Sequence, residues 1–219
     1  MSNGKSEINV KIAESVTSIA ELIKCCPPTW TGGLVLKSSG FATRTYFCNG
    51  DIQLVDLMKD SAGNEHSMLR ITQRLRLEPS KLEDVTRRIS TSGSTGHCIM
   101  IASQAPPTVQ LNLSNCGNSG SNSGDEGAGS ASLQQRPIRN LVTYLKSKDA
   151  AGVVLLTGGK PAASSAVLGD QSDANKGVLY LFPPHSFSVE LLQKIAPNMN
   201  ADSATKEDYL VVVLVRGTN

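Results

Sequence analysis

The run Leu69-Arg70-Ile71-Thr72-Gln73-Arg74-Leu75-Arg76-Leu77 constrains this chain more than any other stretch. Side chains on a β-strand alternate between faces, so Arg70, Thr72, Arg74 and Arg76 share one face. Leu69, Ile71, Leu75 and Leu77, with Gln73, occupy the other. A helix would keep Arg70 and Arg74 together but swing Arg76 away and scatter the leucines. The strand reading demands an apolar core on one side and leaves guanidinium groups roughly 7 Å apart on the other. Three like charges repel, and a face built for solubility alone would interleave acids. A one-signed row on a rigid element suits a multiply charged anion. The plain alternative is a solvated strand face.

Around this strand the pattern predicts a single mixed α+β unit. Val16 to Cys25 reads as a short amphipathic helix (Ile19, Leu22, Ile23) stopped by Pro27-Pro28. Strands are expected at Trp30–Ser38 and Phe41–Cys48, a hairpin-like pair around Ser39-Gly40, with a short strand at Asp51–Val55. Glu78-Pro79 opens a helix with the stripe Leu82, Val85, Ile89 and acids in its first turn. Further strands fall at Gly96–Ser103, Gly152–Leu156, Gly177–Phe182 and Tyr209–Arg216. Helices are expected after Arg136-Pro137, carrying Ile138, Leu141, Val142 and Leu145, and at Phe187–Ile195. About seven strands with interspersed helices imply an α+β fold with a mixed or antiparallel curved sheet.

Two segments stand apart. Gln104 to Gln135 turns into Pro, Ser, Asn and Gly, most densely at 114–132, and has almost nothing to bury. It is expected to be a flexible loop inside one domain, since about 30 residues close a loop at modest entropic cost. Gly158 to Asn175 is a second loose connection. The expected organisation is an N-terminal segment with a short helix at 1–28 and one domain at 29–219, interrupted by the loop at about 104–135.

The function classes narrow by what the residues do not form. With a formal net charge of +2, the chain binds no polyanion through bulk charge, so its positive field matters only where it clusters. No apolar run is long enough for a membrane span. The five cysteines make neither a CxxC nor a zinc-type Cys/His spacing. His66, His97 and His185 lie in unlike contexts away from acids. Gly93-Ser94-Thr95-Gly96 lacks a strand-to-helix setting, and Gly158-Gly159-Lys160-Pro161 has no phosphate-loop spacing. No catalytic residue, metal ligand or cofactor site is expected. No strand interleaves aromatics as an RNA-stacking surface would, and Trp30 reads as core. Tyr144 and Lys148, one helical turn apart, are neighbours at the edge of an apolar stripe.

The string LRITQRLRLEPSKLEDVTRRI resembles the SPOC domain of the Split ends (Spen) family, most of all its small paralogues. The blocks WTGGLVLK, TYLKSKDAAGV, LFPP and DYLVVV agree and occur in the family's order across Trp30 to Arg216. The resemblance implies a distorted seven-stranded β-barrel with peripheral helices. It also implies a non-catalytic protein-interaction module that reads serine-phosphorylated acidic peptides. Arg74 and Arg76 match the two arginines of the family's basic patch, with Arg70 beside them. Lys37 matches its phosphate-contacting lysine. Tyr144 and Lys148 match a tyrosine whose hydroxyl reaches phosphate and the lysine one turn later. The ordinary alternatives are a surface charge for Lys37 and a core-edge aromatic for Tyr144.

Implied partners are phosphorylated peptides of nuclear regulatory proteins: co-repressors, histone methyltransferases and the RNA polymerase II tail. RNA would be contacted by other domains of the parent protein, and the module would be monomeric and nuclear. The alternative is a phosphate-independent scaffold that docks a co-repressor or a subunit of the N6-methyladenosine RNA writer complex. His185 departs from the cysteine often found after Phe-Pro-Pro, and no function attaches to it.

Overall fold

The arginine-bearing segment joins the two ends of a single curled sheet. In this computed structural model, which describes residues 15–59, 68–109, 133–157 and 176–217, the strands are β1 (Pro28–Leu36), β2 (Ser39–Gly50), β3 (Met68–Arg70), β4 (Gln73–Arg76), β5 (His97–Gln104), β6 (Gln134–Arg136), β7 (Ala150–Thr157), β8 (Lys176–Phe182) and β9 (Leu210–Arg216). Eight run in the order β3-β1-β2-β5-β9-β8-β7-β4, and β6 pairs with β2. The first and last strands of that path are consecutive in sequence. Ile71 N–H donates to Val35 O at 2.8 Å, and the next residue, Thr72, donates to Val153 O at 3.1 Å.

The fold is α+β with a curled mixed sheet and peripheral helices, as expected; the sheet forms a half-barrel, and its strand count is higher than the seven expected. The sequence reads Leu69–Leu77 as one strand, but it is two. The chain leaves its parallel partner β1 after Arg70 and takes up antiparallel pairing with β7 at Gln73. Strand β6 was not expected, because Gln134 and Gln135 carry no apolar signal. Their backbone runs parallel to Ser39–Phe41.

The helices are α1 (Ile19–Cys25), α2 (Pro79–Thr91), α3 (Ile138–Ser147), α4 (Ser186–Gln193) and α5 (Ala201–Ala204). They cover a sheet that is apolar on both faces, as near-continuous runs such as Leu210–Val215 require. Leu210, Val212 and Leu214 join one core with Ile138, Leu141, Val142 and Leu145 of α3 and with Trp30. Val211, Val213 and Val215 join the other with Ile19 and Leu22 of α1, Val85 of α2 and Leu192 of α4. The arginine segment changes sides as it crosses. Leu69 and Ile71 pack in the first core, and Leu75 and Leu77 in the second.

Several local readings change for identifiable reasons. Asp51–Val55 is no strand. Asp51 caps a 3-10 helix (Ile52–Met58) by accepting from Gln53 N–H at 2.9 Å, which buries Leu54, Val55 and Met58 together. Helix α1 starts at Ile19, because Ser18 and Glu21 form a capping box there. Helix α2 has no acid in its first turn. The β1–β2 turn is Lys37-Ser38, with Leu36 opposite Ser39, and so lies before the expected Ser39-Gly40. His185 caps α4, its Nδ1 accepting from Phe187 N–H at 3.2 Å. His66, Cys116, the loop core at 110–132 and the 158–175 connection lie outside the described residues.

Candidate functional site

The place where the two sheet ends meet is an open groove of about 780 Å³. Lys37, Arg70, Arg74, Arg76, Tyr144 and Lys148, the residues singled out from sequence, all line it. They come from three local devices. The β1–β2 turn presents Lys37, the sheet-end crossing presents the arginines, and the C-terminal turn of α3 presents Tyr144 and Lys148.

The Lys37 backbone is left-handed, with φ of 55°. For a side chain with a Cβ this costs on the order of 1–2 kcal/mol. Strain of this kind persists only where the surroundings enforce it, and it concentrates at functional sites. Here the tight two-residue turn enforces it, and Arg70 Nη1 donates to the Lys37 carbonyl at 3.4 Å. The turn backbone that carries Lys37 is thereby held beside the first arginine.

Arg74 is the most constrained of the arginines. Its Nη1 donates to the Tyr144 hydroxyl at 2.9 Å. Its guanidinium carbon stands 5.8 Å from the Tyr144 ring centroid, within cation–π range. Arg76 Nη1 reaches Glu78 Oε1 at 3.4 Å, with both side chains largely in solvent. Such an exposed pair is worth at most about 1 kcal/mol and yields readily to a better anion. Among the described residues, no carboxylate lies within ion-pair distance of Lys37, Arg70, Arg74 or Lys148.

Lys148 is the C-cap of α3, its N–H bonded to Tyr144 O at 3.2 Å. Leu141, Val142 and Leu145 bury one face of α3 in the core, so Tyr144 and Lys148 are left at the groove edge. The start of α3 is fixed from across the sheet. Pro137 offers no side-chain cap, and Gln104 Oε1 accepts from Ile138 N–H at 2.7 Å instead. Gln104 Nε2 donates in turn to Ala42 O at 3.0 Å.

The sequence reading misses one contributor. Gln73, placed on the apolar face, is exposed and lines the groove beside Thr72. The break in pairing at Ile71-Thr72 releases Gln73 from that face. Its own polarity amid leucines was the available signal. Strand β4 is also a sheet end, where charges discourage pairing with other chains, and Arg74 and Arg76 serve that purpose whatever they bind. The groove is rich in fixed donors and cations, and its floor holds Leu36, Ile71 and Ala150. This arrangement suits the capture of an extended anionic segment.

A curled mixed sheet with peripheral helices and a cationic groove at its seam defines a class of protein-interaction module. The chain belongs to the SPOC domain family, whose model matches residues 20–217. It is 41% identical over 204 residues to the RNA-binding protein spenito of Drosophila melanogaster, covering 93% of this chain and 22% of that protein. It is 39% identical over 190 residues to human RNA-binding protein 15, covering 86% of this chain and 17% of that protein. Mouse Msx2-interacting protein is more distant, 29% identical over 198 residues, covering 90% of this chain and 4% of that protein. The chain thus spans about a fifth of the first two relatives. SPOC domains of such proteins are regulatory interaction modules.

Proposed function

We propose that this domain reads serine-phosphorylated acidic peptides and performs no chemistry on them. The observation that carries the reading is the convergence of Lys37, Arg70, Arg74, Arg76 and Lys148, with the Tyr144 hydroxyl, on one groove. Five cations gather there in a chain of formal net charge +2, so the positive field is local. A phosphoserine carries about −1.5 to −2 charges and three acceptor oxygens. Charge-assisted bonds from a lysine and a guanidinium contribute about 1.5–3 kcal/mol each. The Arg74–Tyr144 bond and the Arg70–Lys37 contact hold donors in place before a ligand arrives, which lowers the ordering cost of binding.

The names of the relatives suggest the setting. Spenito and RNA-binding protein 15 are RNA-binding proteins by name, and Msx2-interacting protein is named for a protein contact. We assign RNA contact to other parts of such proteins and peptide contact to this domain, acting as a nuclear monomer. Its partners on this reading are phosphorylated tails of transcription, chromatin and RNA-processing proteins, among them co-repressors, histone methyltransferases and the RNA polymerase II tail.

A phosphopeptide array of acidic serine-containing sequences, followed by titration of matched phosphorylated and unphosphorylated pairs, tests the reading. Dissociation constants should be roughly micromolar, or about 8 kcal/mol. The phosphorylated form should bind more tightly, and its advantage should shrink at high salt, because an exposed site is screened over about 10 Å at 0.1 M. Equal affinities with a flat salt response would favour phosphate-independent docking of a co-repressor or of a subunit of the N6-methyladenosine writer complex.

A further inference from the structure

Cys26 and Cys48 are 22 positions apart in sequence, yet their sulfurs stand 3.7 Å apart. Two local devices bring them together. Cys26 is the C-cap of α1, its N–H bonded to Leu22 O at 3.0 Å. The following Pro27 accepts from Phe47 N–H at 2.9 Å, which fixes this corner against β2. Cys48 occupies a bulge in β2: Phe47 lies opposite Met100 and Asn49 opposite Ile99, so Cys48 has no partner position on β5. Bulges re-aim side chains, and this one turns Cys48 toward the end of α1. Both thiols are half-buried, whereas Cys98 is fully buried.

The geometry points to a redox site in which Cys26 and Cys48 form a disulfide on exposure to hydrogen peroxide, stapling the end of α1 to the bulge of β2. Closing the bond requires an approach of roughly 1.7 Å between the sulfurs. The pair is chemically asymmetric. The hydrogen-bonded contact with Cys48 holds the Cys26 thiol below its ordinary pKa. The same contact and burial push Cys48 well above its own. Cys26 is therefore the attacking thiolate.

Its sulfur takes the distal oxygen of the peroxide, an S–O bond forms, the O–O bond breaks, and the hydroxide released leaves as water with a proton from solvent. The Cys26 sulfenic acid then receives the Cys48 sulfur. The S–S bond forms, the S–O bond breaks, and the departing hydroxide takes the Cys48 proton to leave as a second water. Two thiols are oxidised and one peroxide is reduced. The staple lies at the open end of the β1–β2 hairpin, and Lys37 lies at its closed end, where Leu36 faces Ser39. Oxidation therefore tightens α1 and leaves the cationic groove in place.

Tryptic cleavage separates the two cysteines, because Lys37 and Arg44 lie between them. The test treats the full chain, carrying Cys25→Ser and Cys116→Ser to remove competing thiols, with stoichiometric hydrogen peroxide. The intact mass should fall by two hydrogens, and peptides 25–37 and 45–59 should elute linked until dithiothreitol separates them. Amide exchange of α1 should slow on oxidation, and either Cys26→Ser or Cys48→Ser should abolish the link. Mapping of the oxidised wild-type chain keeps the test informative if a variant folds poorly. Oxidation to sulfinic acid without a link, dimers joined between chains, or α1 exchange unchanged by the link would each overturn the proposal.

Discussion

Arg74 donates to the Tyr144 hydroxyl at 2.9 Å, and this bond decides which way the phenol can act. With one lone pair engaged by the guanidinium, the hydroxyl proton is free to point into the groove and donate to a ligand oxygen. Tyr144→Phe removes that donor and keeps the ring beneath Arg74. Affinity for a phosphopeptide should fall about threefold to tenfold, matching one hydrogen bond of about 0.5–1.5 kcal/mol. The melting temperature should barely move, because the hydroxyl supports no core contact. Titration calorimetry beside a thermal melt measures both.

Gln104 supplies the cap that Pro137 lacks, accepting from Ile138 N–H while donating to Ala42 O. Gln104→Leu removes both bonds and should cost about 1–2 kcal/mol, a typical capping loss plus one hydrogen bond. In a domain of this size that lowers the melting temperature by roughly 3–6 °C. Phosphopeptide affinity should weaken as well, since α3 carries Tyr144 and Lys148. A variant as stable as the wild type would show that the α3 start is held by something else.

Ile71 is 6% exposed and sits at the crossing between β3 and β4, packed in the first core. A Cβ built on Gly152 would stand 3.3 Å from its Cγ2, which shows how closely Ile71 packs over β7. Ile71→Ala should destabilise by about 2–4 kcal/mol through lost burial and an unfilled cavity. Chemical denaturation with an unchanged m-value is the measurement.

The start of α1 carries a pH dependence whose sign follows from its bonds. Glu21 accepts from Thr17 N–H at 2.7 Å, from the Thr17 hydroxyl at 2.9 Å and from Ser18 N–H at 3.2 Å. The backbone bond from Thr17, then its hydroxyl, hold the Glu21 carboxyl below its ordinary value of 4.5. A folded pKa below the unfolded one stabilises the folded form above the unfolded value and loses that contribution as pH falls through the folded value. The amides of α1 should therefore exchange faster as pH drops below about 4.5, once intrinsic exchange is corrected for. In Glu21→Gln this pH-dependent step should vanish.

Much of this was legible in the sequence because burial and periodicity spoke together. Leu141, Val142 and Leu145 at helical spacing placed α3, and Arg70, Arg74 and Arg76 are exposed as expected, although they stand on two strands and not on one continuous strand face. The matched family strings brought Lys37, Tyr144 and Lys148 to the same groove, a juxtaposition that local pattern alone leaves open. What stayed hidden depends on partners far along the chain. At Ile71-Thr72 the adjacent N–H groups go to Val35 and Val153, on strands near opposite ends of the sheet. No window of nine residues contains those two partners. Gln134–Arg136 pairs with Ser39–Phe41 through backbone alone, so its side chains carry no sign of a strand.

The central claim is that the arginine pair reads phosphate rather than supporting the fold, and one thermodynamic cycle tests it most directly. Arg74 and Arg76 are exposed, so Arg74→Glu with Arg76→Glu should change stability by no more than about 1 kcal/mol. The wild type and the double variant are each titrated with the same acidic peptide, phosphorylated and unphosphorylated, at one salt concentration. The account predicts a clear phosphate advantage in the wild type, its loss in the variant, and a fall of more than tenfold in phosphopeptide affinity. An equal phosphate advantage in both proteins, or an unfolded double variant, would contradict it.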